Sequence, residues 1–288
     1  MRKVLLVFLL MCLVAEGAWL GYQRSSMPEF AGPTLHVAFI DVRQGCSTLI
    51  QTPDGHAALC DAGGPRCGPE VVGFLQRHGV TRLDLLVLSR PMSDHMGGAP
   101  KVLDSVTVGH VLDSAAPHNS TLRQKTLEMI SARRIPYKTA RAGDVFHLGK
   151  TATMTILLAP DNPLTRKPSD ADNNCIAARV SFGGVSVLLL GDTEPEAEGR
   201  LVANNPDLAC DVLKVAGHGG PRSISNELLR LTKPAYAVIC AGSRDGRRGP
   251  SRAMMRRLQA AGARPYRTDR DGTVIVATDG LRVNVTTE

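Results

Sequence analysis

LDLLVLSRPMSDHMGG, residues Leu83 to Gly98, decides how the chain is read. Asp84 to Leu88 is a short apolar run of the kind that forms a strand buried on both faces. Ser89, Arg90 and Pro91 break it. Asp94 and His95 follow side by side, and Gly97-Gly98 allow a tight turn into a helix. An acid beside a histidine at the carboxyl end of a buried strand is well placed for a metal, because α/β sheets keep their sites at those ends.

Upstream of this stretch, Leu35 to Asp41, Ser47 to Thr52 and His56 to Asp61 read as three strands separated by Gly and Pro-Asp-Gly turns. Val71, Val72 and Leu75 recur at helical spacing within Glu70 to His78, and Gly79 closes that helix. Downstream, a helix is expected from about His95 to Leu103, a strand at Val106 to Leu112 and a helix at Thr121 to Arg134. The pattern then restarts. Asp144 to Leu148, Ala152 to Leu158, Cys175 to Phe182 and Val185 to Leu190 read as strands, and Glu194 to Val202 as a helix. Asp211 to Val215 (strand), Ser225 to Leu231 (helix), Tyr236 to Cys240 (strand) and Ser251 to Ala261 (helix) alternate behind them. Thr273 to Thr278 and Leu281 to Thr286 close the chain as strands. Two blocks of this kind imply a pair of packed mixed sheets covered by helices.

Six short runs carry a resemblance. Arg90 to His95 (RPMSDH) resembles the His-x-His-x-Asp-His motif of the metallo-β-lactamase superfamily. Ile40 to Ser47 (IDVRQGCS) resembles the DVGQGDA run of the extracellular domain of ComEC-type DNA-uptake proteins. Asp61-Ala62-Gly63-Gly64 is similar to an acid-plus-glycine turn that supports the site in that family. Asn173-Asn174-Cys175 resembles its NNNSLVL run, and Gly191-Asp192 falls where the family has an acid bridging two metals. Asp211 to Gly220 (DVLKVAGHGG) resembles DVLKVGHHGS. The resemblance covers most of Thr34 to Glu288 and implies an α/β metallo-β-lactamase-type αββα sandwich of two mixed β-sheets flanked by helices. The domain expected is 34–288.

Against that pattern three histidines are replaced, by Arg90, Met92 and Gly217. The resemblance leaves Asp94, His95 and Asp192 as metal ligands, with His218 as a fourth ligand or a donor to substrate. Three protein ligands are the minimum for a catalytic zinc. Met92 is a soft thioether and a poor partner for zinc or manganese. Arg90 carries a fixed positive charge into the territory of the second metal, where it can pair with Asp192 or Asp94. Zinc is the ion expected, manganese the alternative. Cys46 and Cys175 read as buried small hydrophobes, with soft ligands as the other reading.

Residues 1–30 read as a signal peptide or signal anchor with a short linker: Arg2-Lys3 precede an apolar run from Val4 to Ala15. That places the domain outside the cytoplasm, secreted, periplasmic or membrane-attached through this segment. Of seven cysteines, Cys12 lies in the leader, and the remaining six permit disulfides in an exported chain. Cys60 and Cys67 flank a Gly-Gly-Pro turn and are the easiest pair to close, whereas Cys210 and Cys240 suit buried thiols on strands. His36, His56, His78, His110, His118 and His147 form no close-spaced pair and read as solvated or core histidines. Lys plus Arg 34 against Asp plus Glu 27 gives a net charge of +7, which favours polyanions. Arg244, Arg247, Arg248, Arg252, Arg256 and Arg257 cluster around Gly249-Pro250, as a phosphate-holding patch or a solvated helix face.

Two functions are consistent with these residues. One is an exported one-metal hydrolase of phosphodiesters or related esters, with Asp94 orienting the water, Arg90 stabilising charge on the phosphate, and DNA a substrate candidate through the resemblance. The other is a non-catalytic protein of the same fold that binds DNA or another anion. A β-lactamase proper would need the histidines that are gone.

Overall fold

The computed structural model describes residues 30, 32–43, 45–160, 163, 170–242 and 249–288. The expected leader, with Cys12, and Arg244, Arg247 and Arg248 of the basic cluster lie outside the described residues. The chain divides into two units, Met1–Gly32 and Pro33–Glu288, and the described helices and strands all belong to the second.

The first half of that unit runs β1 (Leu35–Phe39), β2 (Thr48–Gln51), β3 (Ala57–Cys60), α1 (Gly68–Arg77), β4 (Arg82–Leu88), α2 (Ser93–Met96), α3 (Ala99–Ser105), β5 (Thr107–Asp113), α4 (Thr121–Ala132) and β6 (Tyr137–Thr139). The second half continues β7 (Val145–Leu148), β8 (Ala152–Leu158), α5 (Asp170–Asn173), β9 (Ala177–Phe182), β10 (Val185–Leu189), α6 (Pro195–Asn204), β11 (Val212–Lys214), α7 (Asn226–Thr232), β12 (Tyr236–Ile239), α8 (Arg252–Ala260), β13 (Arg264–Arg267), α9 (Thr268–Asp271), β14 (Val274–Thr278) and β15 (Val283–Thr287).

The strands make two mixed sheets, ordered β15-β14-β1-β2-β3-β4-β5-β6 and β13-β12-β11-β10-β9-β8-β7. In each, antiparallel pairing at one end gives way to parallel pairing at the other: β3, β4, β5 and β6 in the first sheet, β10, β11, β12 and β13 in the second. Strand alternation builds three apolar layers. On β4, Leu85 and Val87 enter the layer between the sheets, while Leu86 and Leu88 pack outward with Phe74 and Leu75 of α1. On β10, Val187 and Leu189 face inward and Leu188 packs outward with Leu201 of α6 and Leu228 of α7. Each such side chain contributes about 1.5–3 kcal/mol on burial. The expected αββα sandwich is the observed fold.

Several local expectations are corrected. The single helix expected near His95–Leu103 is two helices, α2 and α3, broken at Gly97-Gly98. Pro100 opens α3, where its missing N–H costs nothing. A Cβ on Gly97 would stand 2.3 Å from Pro65 N and 2.5 Å from Gly64 C, so the glycine is required by the turn beneath it. The edge strands β6 and β13 escape the sequence pattern because they lack an apolar face. Pro265 is tolerated in β13 because that strand pairs only with β12. No Cys60–Cys67 disulfide forms, and all six described cysteines are free thiols. Cys60 points into the layer between the sheets and Cys67 into the layer under α1, so one sheet separates them. The Cys67 thiol donates instead to Val42 O at 2.9 Å.

The Gly97→Ala variant is expected to lose about 3 kcal/mol in urea unfolding through overpacking. Gly73→Ala, inside α1 with nothing nearer its new methyl than Arg77 Nη1 at 3.6 Å, should gain about 0.5–1 kcal/mol. Equal effects would contradict the packing described.

Candidate metal centre

The carboxyl ends of β3, β4, β10, β11 and β12 converge on one cleft, and each delivers a polar group there. Backbone bonds fix the loops that carry them: Cys46 N donates to Asp94 O (3.1 Å), Ala62 N to His95 O (2.7 Å), Gly63 N to Cys46 O (2.8 Å) and Gly98 N to Gly63 O (3.2 Å). Gly45, at φ +109, accepts the close approach of Asp94 O, which would lie 1.9 Å from a Cβ there.

Asp61 follows β3 with φ +63, an uncommon conformation for a side chain larger than glycine. Its Oδ1 accepts from Ser89 N at 2.8 Å, and its Oδ2 accepts from Ser89 Oγ and His95 Nδ1, both at 2.6 Å. That pairing fixes the imidazole with Nδ1 toward Asp61 and Nε2 toward Asp192 Oδ2, 3.1 Å away. His95 is fully buried. The supporting role expected of Asp61 matches the carboxylate–histidine arrangement that orients metal-ligating imidazoles.

Arg90 leaves β4 and is 5% exposed. Its Nη1 lies 2.5 Å from Asp192 Oδ2 and 2.6 Å from Asp172 Oδ1, and its Nη2 is 3.9 Å from Asp94 Oδ1. Of the two partners expected, Asp192 is the close one. Asp172, on α5, was not legible as a site residue; its only signal is a run of acids just before Asn173-Asn174. Asn173 itself donates to Glu196 and accepts from Ala197 N, capping α6.

Asp192 accepts Gly217 N on Oδ1 at 3.2 Å. Its buried carboxyl would be pushed up by burial, but the cations on His95 and His218 outweigh that and hold it well below the usual range. His218 sits at φ +51 in the turn after β11. Its Nδ1 donates to Cys240 O at 2.9 Å. Its Nε2 lies 3.4 Å from Asp94 Oδ2 and 3.5 Å from Asp192 Oδ2, buried and without a hydrogen-bond partner. Asp94 stands at the rim. Burial opposes its charge, yet His218, His95 and Arg90 hold the carboxyl far below its ordinary value. Met92 lines the cleft.

Two residues outside the expected ligand set, Lys214 and Cys46 (the latter with a soft ligand as its alternative reading), line a small cavity between the sheets. Lys214, on the inward face of β11, is buried and donates its Nζ to Gly191 O at 2.9 Å. Cys46 is 2% exposed, with its Sγ 3.9 Å from His218 Nδ1. A hydrogen bond from the Cys240 thiol and the cations of Lys214, His95 and His218 pull its pKa well below that of an ordinary thiol, against the effect of burial. Ligand atoms of Cys46, His95, Asp192 and His218 all lie within 4.8 Å of one another. These four could hold a metal ion, and the buried, unpartnered His218 Nε2 fits such a role. Cys175 is not among them; its thiol faces Leu190 O at 3.7 Å.

The cleft above has a volume of about 1140 Å³ and is lined by Arg43, Arg66, Arg90, Asp94, His218 and Ser251, among others. Within the expected basic cluster, Arg257 donates to Pro221 O at 2.7 Å and so braces the loop after His218, while Arg252 and Arg256 are exposed.

No family model matches the chain. It is 28% identical over 255 residues to ComE operon protein 3 of Bacillus subtilis, an alignment covering 83% of this chain and 32% of that protein. It is 31% identical over 240 residues to Recombination protein 2 of Haemophilus influenzae, covering 80% and 27%. Competence protein ComA of Neisseria gonorrhoeae is 27% identical over 258 residues, covering 89% and 34%. The chain thus spans about a third of the length of these curated relatives. Among solved structures, the metallo-β-lactamase fold protein YhfI of Bacillus subtilis matches with TM-score 0.52 at 12% identity, covering 81% of this chain and 95% of that one. A provisionally assigned metal-dependent hydrolase from Parabacteroides distasonis matches with TM-score 0.51 at 15% identity, covering 83% and 94%. At such identities the structural likeness establishes the fold.

Replacing Arg90 by Met strips Asp172 of its cation and leaves Asp192 only the two histidines. In chelator the variant is expected to lose about 3–5 kcal/mol, as when one partner of a buried pair is removed. Added divalent metal should restore more stability to it than to the unaltered chain. Unchanged unfolding in chelator would contradict the pairing.

A second expectation concerns pH in the metal-free protein. Burial disfavours a proton on His95, but Asp192 and Asp61 outweigh it and raise its pKa to about 10. The unfolded imidazole titrates near ~6.5. The folded state therefore binds the extra proton between these values, and its stabilising effect, complete below about pH 6.5, is lost as pH rises toward 10. Urea unfolding across that window should show the decline, and His95→Gln should flatten it.

Proposed function

Taking the chain as a metallo-β-lactamase-fold protein of ComEC-like type, we propose that it is an extracytoplasmic hydrolase of phosphate diesters, DNA among them, that works with one metal ion and one arginine. The observation that carries this reading is the Arg90 guanidinium, buried on Asp192 Oδ2, the carboxylate that itself joins Cys46, His95 and His218 in a cluster of metal-capable donors. Two metals in such a site stabilise the attacking and leaving oxygens together. Here a fixed guanidinium supplies one of those charges and leaves room for one ion.

His95, Asp192 and His218 would hold that ion, with Asp94 on its open side. Zinc suits these donors, and manganese is the alternative. When bound, the ion supplies a positive centre and lowers the pKa of the attacking water. The remaining steps fall to the chain's own groups. Asp94, whose carboxyl stays ionised far below neutral pH, orients the water through a hydrogen bond and, too weak a base to keep the proton, would pass it to solvent in the open cleft. Arg90 offers its Nη atoms to a non-bridging phosphate oxygen, in competition with Asp172. Burial raises the pKa of that carboxyl, and Arg90 only partly offsets the rise, so Asp172 is the easier carboxylate to displace. Asp61 keeps the His95 ring from turning.

The DNA substrate is supported by the competence proteins among the relatives, the net charge of +7 and Arg43 and Arg66 at the cleft. Export, and attachment to a membrane through the N-terminal apolar segment, rest on the composition of residues 1–30. Among the described residues no helix is long and apolar enough to cross a membrane.

The chain purified with zinc or manganese should hydrolyse a generic phosphodiester and single-stranded DNA, and chelator should abolish the activity. Asp192→Asn and Arg90→Met should each lower kcat on the order of 10²-fold or more while the fold is retained by circular dichroism. A folded chain that binds neither metal yet retains DNA with a steep salt dependence would overturn the reading in favour of a non-catalytic anion-binding protein.

A further inference from the structure

We propose that Cys46 is a ligand of this ion, making the centre a thiolate site that selects zinc over harder divalent cations. The inference rests on the one-ion reading above and adds to it a donor that the aspartate and histidine pattern does not supply.

The position of Cys46 is set by backbone. Its N–H is tied to Asp94 O and its C=O to Gly63 N, and the Gly45 conformation lets Asp94 O pack against the loop just before it. The Cβ therefore cannot swing away, and the thiol is held in the small cavity between the sheets, among ligand atoms of His95, Asp192 and His218 within 4.8 Å. Zinc–sulfur and zinc–nitrogen bonds of about 2.3 and 2.0 Å imply ligand separations of roughly 3.5 Å in a tetrahedron. From separations of up to 4.8 Å the donors would close by at most about 1.3 Å on binding the ion.

The surroundings favour the anion that a metal needs from a thiol. Lys214 and Cys46 line the same small cavity between the sheets, and the Lys214 ammonium is anchored there on Gly191 O. Cys60 lines that cavity too but is not among the four clustered donors. Cys240 contributes its carbonyl to His218 Nδ1, which turns Nε2 toward the carboxylates. One sulfur, two nitrogens and one oxygen form a borderline-soft set that suits zinc or cobalt and disfavours magnesium or manganese. Four protein donors leave the water to enter as a fifth ligand, an expansion zinc permits.

Cobalt titration of the whole chain, stripped of metal and kept reduced, tests this directly. One equivalent of Co²⁺ should bind with an intense near-ultraviolet sulfur-to-cobalt charge-transfer band. Cys46→Ser and Cys46→Asp should lose the band and bind at least about tenfold more weakly, whereas Cys60→Ser and Cys240→Ser keep it. In the unaltered chain, zinc should displace manganese with at least about a hundredfold preference. One equivalent of cobalt bound without the band would refute Cys46 as ligand and leave the one-ion reading standing. A band that survives Cys46→Ser and disappears in Cys240→Ser would likewise refute it. No cobalt bound by the folded chain would refute both.

Discussion

Arg90 emerges from the end of β4 almost fully buried, and its guanidinium meets Asp192 at 2.5 Å and Asp172 at 2.6 Å. A buried carboxylate without a cation is costly by several kcal/mol, so Asp192 requires a positive neighbour whether or not metal is present. The arginine meets that requirement permanently. It also occupies the volume a second ion would need, because a guanidinium cannot lose its charge and step aside as an imidazole can. In the proposed reading, the single ion, its ligands and the division of labour all descend from this arginine.

The fold makes the pairing possible. Parallel strands of both sheets end on the same cleft, so groups distant in sequence arrive together: Asp61 from β3, Arg90 from β4, Asp192 from β10, His218 from β11. Backbone bonds among the loops at Cys46, Gly63 and Asp94 hold them in register without help from a disulfide. Asp61 and His218 adopt positive φ, a modest strain that over-determined loops can hold at functional sites. The charge arrangement is internally consistent: the carboxyls of Asp94 and Asp192, held well below their ordinary range, face Arg90, Lys214, His95 and His218.

The strands were legible as continuous apolar runs with glycine in the turns between them, which alone gives an α/β protein with mixed sheets; the αββα arrangement was implied by the resemblance. The Asp94-His95 pair stood out at a strand end, whereas Asp192 and His218 were singled out through the resemblance. Other features were not. Lys214 looks like an ordinary strand residue until alternation turns it inward, and Cys46 and Cys175 carried the same soft-ligand alternative until the loop placed only Cys46 beside the cluster. Asp172 precedes its strand rather than following one, so no strand-end rule points to it. The Cys60–Cys67 expectation failed because proximity along the chain says nothing about which side of a sheet each thiol faces. The edge strands β6 and β13 were missed because an edge needs no apolar stripe.

Diffraction from crystals grown in zinc would test the central claim most directly, through the anomalous signal of the bound ion. A single peak per chain is expected, among Cys46, His95, Asp192 and His218, with the Arg90 guanidinium still against Asp192. Two peaks bridged by the Asp192 carboxylate, or one peak in the space Arg90 now fills with the guanidinium turned out to solvent, would contradict it.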